Sequence, residues 1–125
     1  MKTFAGTDAE KHEKCCQYAQ KNVEKLRNGR GNTIVQHLIE GEELKGKAKL
    51  ISKLTLEPGA SIGVHEHKED FEVYYILQGE GRVMDNGHMQ PIGSGDVVYT
   101  ANGESHCLEN TGEGNLVLLA IVINE

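Results

Sequence analysis

The sequence predicts an all-β fold, a closed or two-sheet antiparallel barrel preceded by a helical arm, and three observations carry that expectation. From Thr33 onward, short runs rich in β-branched and aromatic residues alternate with glycine-bearing turns. Within one run Lys49, Ile51, Lys53 and Thr55 alternate against Leu50, Ser52, Leu54 and Leu56, the period of a strand with one face buried. The chain has 125 residues, enough for a single core, with 38% hydrophobic and 26% charged residues to divide between interior and surface.

The first element expected is an α-helix from Asp8 to about Leu26, a charged stretch without Gly or Pro that opens on an Asp suited to an N-cap. Cys16, Ala19, Val23 and Leu26 recur on it at helical spacing, so this stripe should lie against the barrel or a partner. Asn28-Gly29-Arg30-Gly31-Asn32 ends it, because paired glycines favour turns over helix continuation. The expected organisation is therefore a helical arm over residues 1–32 and a barrel over 33–125.

Strands are expected at Thr33 to Ile39, Lys47 to Leu56, Ile62 to His65, Phe71 to Leu77, Arg82 to Asp85, Met89 to Ile92, Asp96 to Thr100, His106 to Glu109 and Asn115 to Ile123. Glu57-Pro58-Gly59 and Asp85-Asn86-Gly87 supply turn chemistry between them. The last strand is apolar on both faces, more than a monomer's surface strand requires, which predicts a homodimer. Charged runs such as Glu40 to Lys49 and Lys68 to Asp70 are expected to be solvated loops or strand edges.

A net charge of -6 argues against nucleic acid as partner. With no long apolar span and no basic-then-apolar leader pattern, the expectation is a cytoplasmic protein without a membrane partner. Cys15, Cys16 and Cys107 form neither a disulfide framework nor paired CxxC motifs, and are expected to be reduced thiols.

The chemistry concentrates in Gly59-Ala60-Ser61-Ile62-Gly63-Val64-His65-Glu66-His67, followed by Glu72 and Gly79. Two histidines one residue apart on a strand project to the same face, so both imidazoles can reach one point. Glu72 lies across a short turn, and Gly95 to His106 delivers a third imidazole, with Asn110 four residues later. His65, His67, Glu72 and His106 are thus the expected ligands of one divalent metal, Mn, Fe, Ni, Co or Zn. A six-coordinate ion would keep two positions for water or substrate.

Tyr74, two residues after Glu72, should enter the same cavity as a substrate contact or as filling. Arg82 is the natural clamp for an anion, but a tight turn at Gln78-Gly79 would pair it with Tyr75 and turn both outward. With no evident inward arginine, strongly anionic substrates are disfavoured. Cys107 should point away from the ligand face, and His12, His37 and His88 have no ligand-type company.

These residues resemble the cupins, double-stranded β-helix or jelly-roll proteins defined by two such motifs. The first reads Gly59, five residues, His65, one residue, His67, four residues, Glu72, six residues, Gly79; the second reads Gly95, five residues, Ala101 where the family usually has Pro, then Gly103, His106 and Asn110. Fifteen residues separate Gly79 from Gly95, a gap similar to that of compact single-domain members. The resemblance spans roughly Thr33 to Glu125 and implies a small metal-dependent enzyme of dioxygenase, decarboxylase or isomerase type acting on a small oxygen-rich metabolite. The alternative it leaves open is a non-catalytic module that binds or senses a metabolite or metal.

Overall fold

Period-two alternation of apolar and polar side chains produces strands whose inner faces must meet each other. The computed structural model of the protein describes residues 18–125 and shows where they do so. Ten strands form in chain order: β1 (Lys21–Glu24), β2 (Asn32–Ile39), β3 (Ala48–Leu56), β4 (Ser61–Glu66), β5 (Asp70–Gln78), β6 (Glu80–Asp85), β7 (His88–Gly93), β8 (Val97–Thr100), β9 (Ser105–Asn110) and β10 (Leu116–Asn124). All nine expected strands are present as β2 to β10, with ends shifted by a residue or two.

The strands divide into a six-stranded sheet, β1-β2-β3-β10-β5-β8, and a four-stranded sheet, β4-β9-β6-β7, with every pairing antiparallel. Leu56, Tyr74, Ile76, Leu108, Leu116 and Leu118 are fully buried between the two layers. Each such side chain contributes about 1.5–3 kcal/mol relative to exposure. The turn between β6 and β7 is the expected tight one: Asp85 faces His88, while Asn86 and Gly87 take φ of 49° and 89°, a geometry suited to Asn-Gly.

The expected helix is corrected where it can be seen. Residues 21–24 are strand β1, paired with the edge of β2 through Lys21↔Val35 and Val23↔Thr33. Lys25 then takes a left-handed φ of 54°, and Leu26–Asn28 form a single 3₁₀ turn. The stripe reading survives in part, because Val23 is half-buried and Leu26 packs against the core. What overrode helix propensity was the open edge of β2, whose unpaired backbone groups gain partners only from another strand. The rest of the expected helix, with His12, Cys15 and Cys16, lies outside the described residues. Among the described residues the helical elements are two 3₁₀ turns, this one and Gly41–Leu44, and no helix is long and apolar enough to cross a membrane.

Arg82 does face outward, though not for the expected reason. β5 and β6 lie in different sheets, so Arg82 pairs with Pro91 and Glu109 in register, and its guanidinium contacts the Glu109 carboxylate at 3.0 Å.

Candidate metal centre

Strand β4 alone would not aim its histidines correctly. Its pairing with β9 runs Ile62↔Leu108 and then His65↔His106, so one extra residue is inserted at Gly63 and Val64. That bulge reverses the phase of the alternation: Ile62 is buried, Val64 is 59% exposed, and His65 and His67 turn inward. His106 comes from β9 of the same sheet, while Glu72 and Tyr74 come from β5 across the barrel. Candidate ligands from both layers therefore meet at one end of the interior.

The four expected ligands are brought together, their donor atoms all within 4.8 Å of one another. Glu72 Oε1 lies 2.8 Å from His106 Nε2, 3.0 Å from His67 Nε2 and 3.4 Å from His65 Nε2. The imidazole nitrogens crowd equally: His106 Nε2 is 2.8 Å from His65 Nε2 and 3.2 Å from His67 Nε2.

The opposite edge of each ring is also occupied. His65 Nδ1 is 2.8 Å from the Gly63 carbonyl, His67 Nδ1 2.8 Å from Asp70 Oδ1, and His106 Nδ1 2.8 Å from Thr100 Oγ1. An Nδ1–H donated to each of these oxygens leaves all three Nε2 lone pairs, with a carboxylate, directed at one point. Four such groups repel one another unless a cation or protons lie between them. The donor set thus fits a divalent ion.

Electrostatics agree with that geometry. Burial opposes ionisation of Glu72, but the imidazoles of His106 and His65 against its carboxyl outweigh it and hold the group at about 2. Burial pushes His106 below the ordinary imidazole value, with Glu72 opposing, so the ring favours the neutral form that a metal needs. Asp70, itself buried, is held below the usual carboxylate range: burial works against this, and hydrogen bonds from Lys49 and His67 prevail.

Tyr74 is buried, its ring stacked on that of His106 at 4.9 Å and 7°, and its hydroxyl is 3.5 Å from His106 Nε2. Burial and the Glu72 charge raise the phenol well above its ordinary value, so it keeps its proton. Tyr74, His65, His67 and Glu72, with Ile62, Leu54 and Val35, line a cavity of about 680 Å³, within the roughly 300–1,000 Å³ usual for small-molecule pockets.

Three residues at this site were not foreseen. Asp70 was read as part of a solvated charged run, yet it orients His67; its shared parity with Glu72 on β5 was the available signal. Thr100 stands opposite Glu72 in register and orients His106, which no spacing rule announces. Arg27 lines the cavity from the 3₁₀ turn, which overturns the expectation that no arginine faces it. His37 also lines the cavity and hydrogen-bonds Ser52, whereas His88 is exposed. Cys107 is half-buried on the face of β9 opposite to His106, as alternation required.

Two signature residues of the second motif have structural roles. Asn110 Nδ2 donates to the carbonyls of Leu56 and Gly114, and its Oδ1 accepts from the Gly112 N–H. Ala101 uses the N–H that a proline would lack, donating to Glu104 Oε1 at 3.4 Å. The adjoining turn is tied to the ligand strand through Gly103 N–H to the His67 carbonyl and His67 N–H to the Glu104 carbonyl.

A barrel of two antiparallel sheets with three histidines and a glutamate at one end defines a class, and the comparisons agree with it. The family model of the cupin domain matches residues 52–122, more than half of the chain, so the chain belongs to the cupin family. An oxalate-binding protein of Thermotoga maritima is 46% identical over 101 residues, covering 81% of this chain and 84% of that one. The crystal structure of a predicted oxalate decarboxylase from Thermotoga maritima superposes with a TM-score of 0.84 at 42% identity, covering 86% of this chain and 94% of its own. The oxalate decarboxylase OxdC of Bacillus subtilis is 34% identical over 73 residues, where 54% of this chain spans 19% of that protein.

Proposed function

We propose that the protein binds one divalent transition metal through His65, His67, Glu72 and His106, and binds on it a small oxygen-rich carboxylate of the oxalate class. The convergence of three oriented imidazoles and one ionised carboxylate, with His65, His67 and Glu72 lining a cavity, supports this most directly. The names of the relatives supply oxalate as the first ligand to try. Bound there, the ion would act as a Lewis acid toward a ligand oxygen.

The chain's own residues supply the rest. Asp70, Thr100 and the Gly63 carbonyl fix the imidazoles, and the apolar wall limits water. Tyr74, as a protonated phenol beside His106, presents an O–H donor to a ligand oxygen. Calorimetric titration of oxalate into Mn²⁺-loaded and chelator-stripped protein tests the proposal. Binding by the loaded form alone is expected, and equal binding by both, or by neither, contradicts it.

A second reading, turnover of the bound carboxylate, is favoured by Tyr74, whose un-ionised hydroxyl beside His106 is placed to hydrogen-bond negative charge developing on a ligand oxygen. Loss of product formation in Tyr74→Phe with ligand affinity retained would support it. We also propose a homodimer formed through the outer face of the six-stranded sheet, where Tyr75, Leu77, Val97 and Tyr99 are 41–62% exposed beside the outward residues of β10.

A further inference from the structure

Arg27 occupies a place that its own backbone disfavours. Lys25, Arg27 and Asn28 take φ of 54°, 54° and 63°, so three residues with side chains adopt left-handed conformations within four positions. Such conformations are disfavoured in residues with a side chain, least for Asn28, and persist only where the surroundings impose them. Here they do. Leu26 is anchored in the core on one side, and on the other Arg30 and Ser61 exchange backbone hydrogen bonds at 3.2 and 2.7 Å.

Glycines at both contacts let the two backbones approach. A Cβ on Gly63 would strike the Arg27 carbonyl, and one on Gly29 would strike that of Ser61. The segment is thereby clamped to β4 beside the bulge that aims His65. This strained turn delivers an exposed side chain to the cavity that His65, His67 and Glu72 also line, the last two at least 95% buried.

The charges around that cavity do not cancel. Lys49 is paired with Asp70 at 2.7 Å, Lys68 with Glu66 at 3.2 Å, and Glu72 is committed to the imidazoles. Among the described residues, Arg27 and Lys21 line the cavity without a carboxylate partner.

We infer that Arg27 is an anion-recognising residue, and that the pocket selects ligands with a second negative charge beyond the group held at the histidine–glutamate cluster. The inference rests on the metal-dependent binding proposed above and adds the ligand's charge and the residue that reads it. A planar guanidinium at the mouth would meet a distal carboxylate in bidentate fashion, and the apolar wall between mouth and floor would accept the short carbon chain joining the two ends. A cavity of about 680 Å³ has room for more than the smallest dicarboxylate.

The test uses Mn²⁺-loaded protein and two matched pairs of probes, 2-oxoglutarate against 2-oxopentanoate and 2-oxoadipate against 2-oxohexanoate; within each pair the chelating head is shared and the distal carboxylate alone differs. Calorimetry on wild type should show the dianion preferred by roughly tenfold or more in at least one pair. Arg27→Gly should abolish that preference while retaining metal stoichiometry, and should melt no lower than wild type, because glycine adopts the left-handed conformation without strain. Arg82→Gln, on the outer face, should leave the preference unchanged. A preference that survives in Arg27→Gly, or no preference in wild type that binds the probes, overturns the inference and leaves metal-dependent binding standing; wild type that binds none of the four overturns it too, and wild type that binds neither these nor oxalate overturns both.

Discussion

His67 and His106 owe their orientation to one hydrogen bond each, from Nδ1 to Asp70 and from Nδ1 to Thr100. Such partners fix the tautomer, and their removal weakens metal affinity by about 10–100-fold in comparable sites. Asp70→Asn and Thr100→Val are therefore expected to lose affinity in that range, measured by competition with a chromophoric chelator, with the ligand set intact. Asp70→Asn should have the larger effect, since it also frees Lys49 beside the cavity. At this scale the ligands themselves were legible, because a His-x-His pair on a strand has only one way to place both rings. Asp70 was not legible, since a charged run at a turn reads as solvated until its burial is known.

The β4 bulge and the strained turn packed on it form the element on which the site depends. Gly63→Ala places a methyl group against the Arg27 carbonyl, where backbone rather than a yielding side chain must move. A loss of about 1–3 kcal/mol is expected, as for other overpacked positions. Urea unfolding should measure it, and a change within about 0.5 kcal/mol, the range of neutral surface substitutions, would contradict the packing described. Strands β2 to β10 could be located from alternation and from Glu57-Pro58-Gly59 and Asn86-Gly87, because both signals are local. Strand β1 could not. Its identity depends on the free edge of β2, a tertiary circumstance, and its charged sequence suits a helix equally well in isolation.

In the whole molecule, the two sheets divide the work between them: the four-stranded layer carries His65 and His106, with His67 just past the end of β4, and the six-stranded layer carries the carboxylate, the phenol and a broad apolar outer face. On that face Val117, Leu119, Ile121 and Ile123 of β10 are half-buried beside Tyr75, and Phe71 lies 5.7 Å from Tyr99, centroid to centroid. If a second copy covers it, light scattering should give a mass twice the 13.7 kDa of one chain, and Tyr99→Lys with Val97→Lys should return the monomer. A monomeric wild type would contradict the dimer without touching the metal centre. The doubly apolar β10 announced this surface in the sequence, whereas the cavity's cationic rim was missed because its arginine lies in the segment read as an arm.

The central claim is that His65, His67, Glu72 and His106 hold one metal ion. An anomalous difference map from crystals grown with Mn²⁺ tests it most directly. The account predicts one peak per chain, bonded to the three Nε2 atoms and the Glu72 carboxylate, and absent from His106→Ala crystals. A map with the four side chains in place and no peak between them under saturating Mn²⁺, Fe²⁺, Ni²⁺, Co²⁺ and Zn²⁺, or a peak held by other residues, would contradict it.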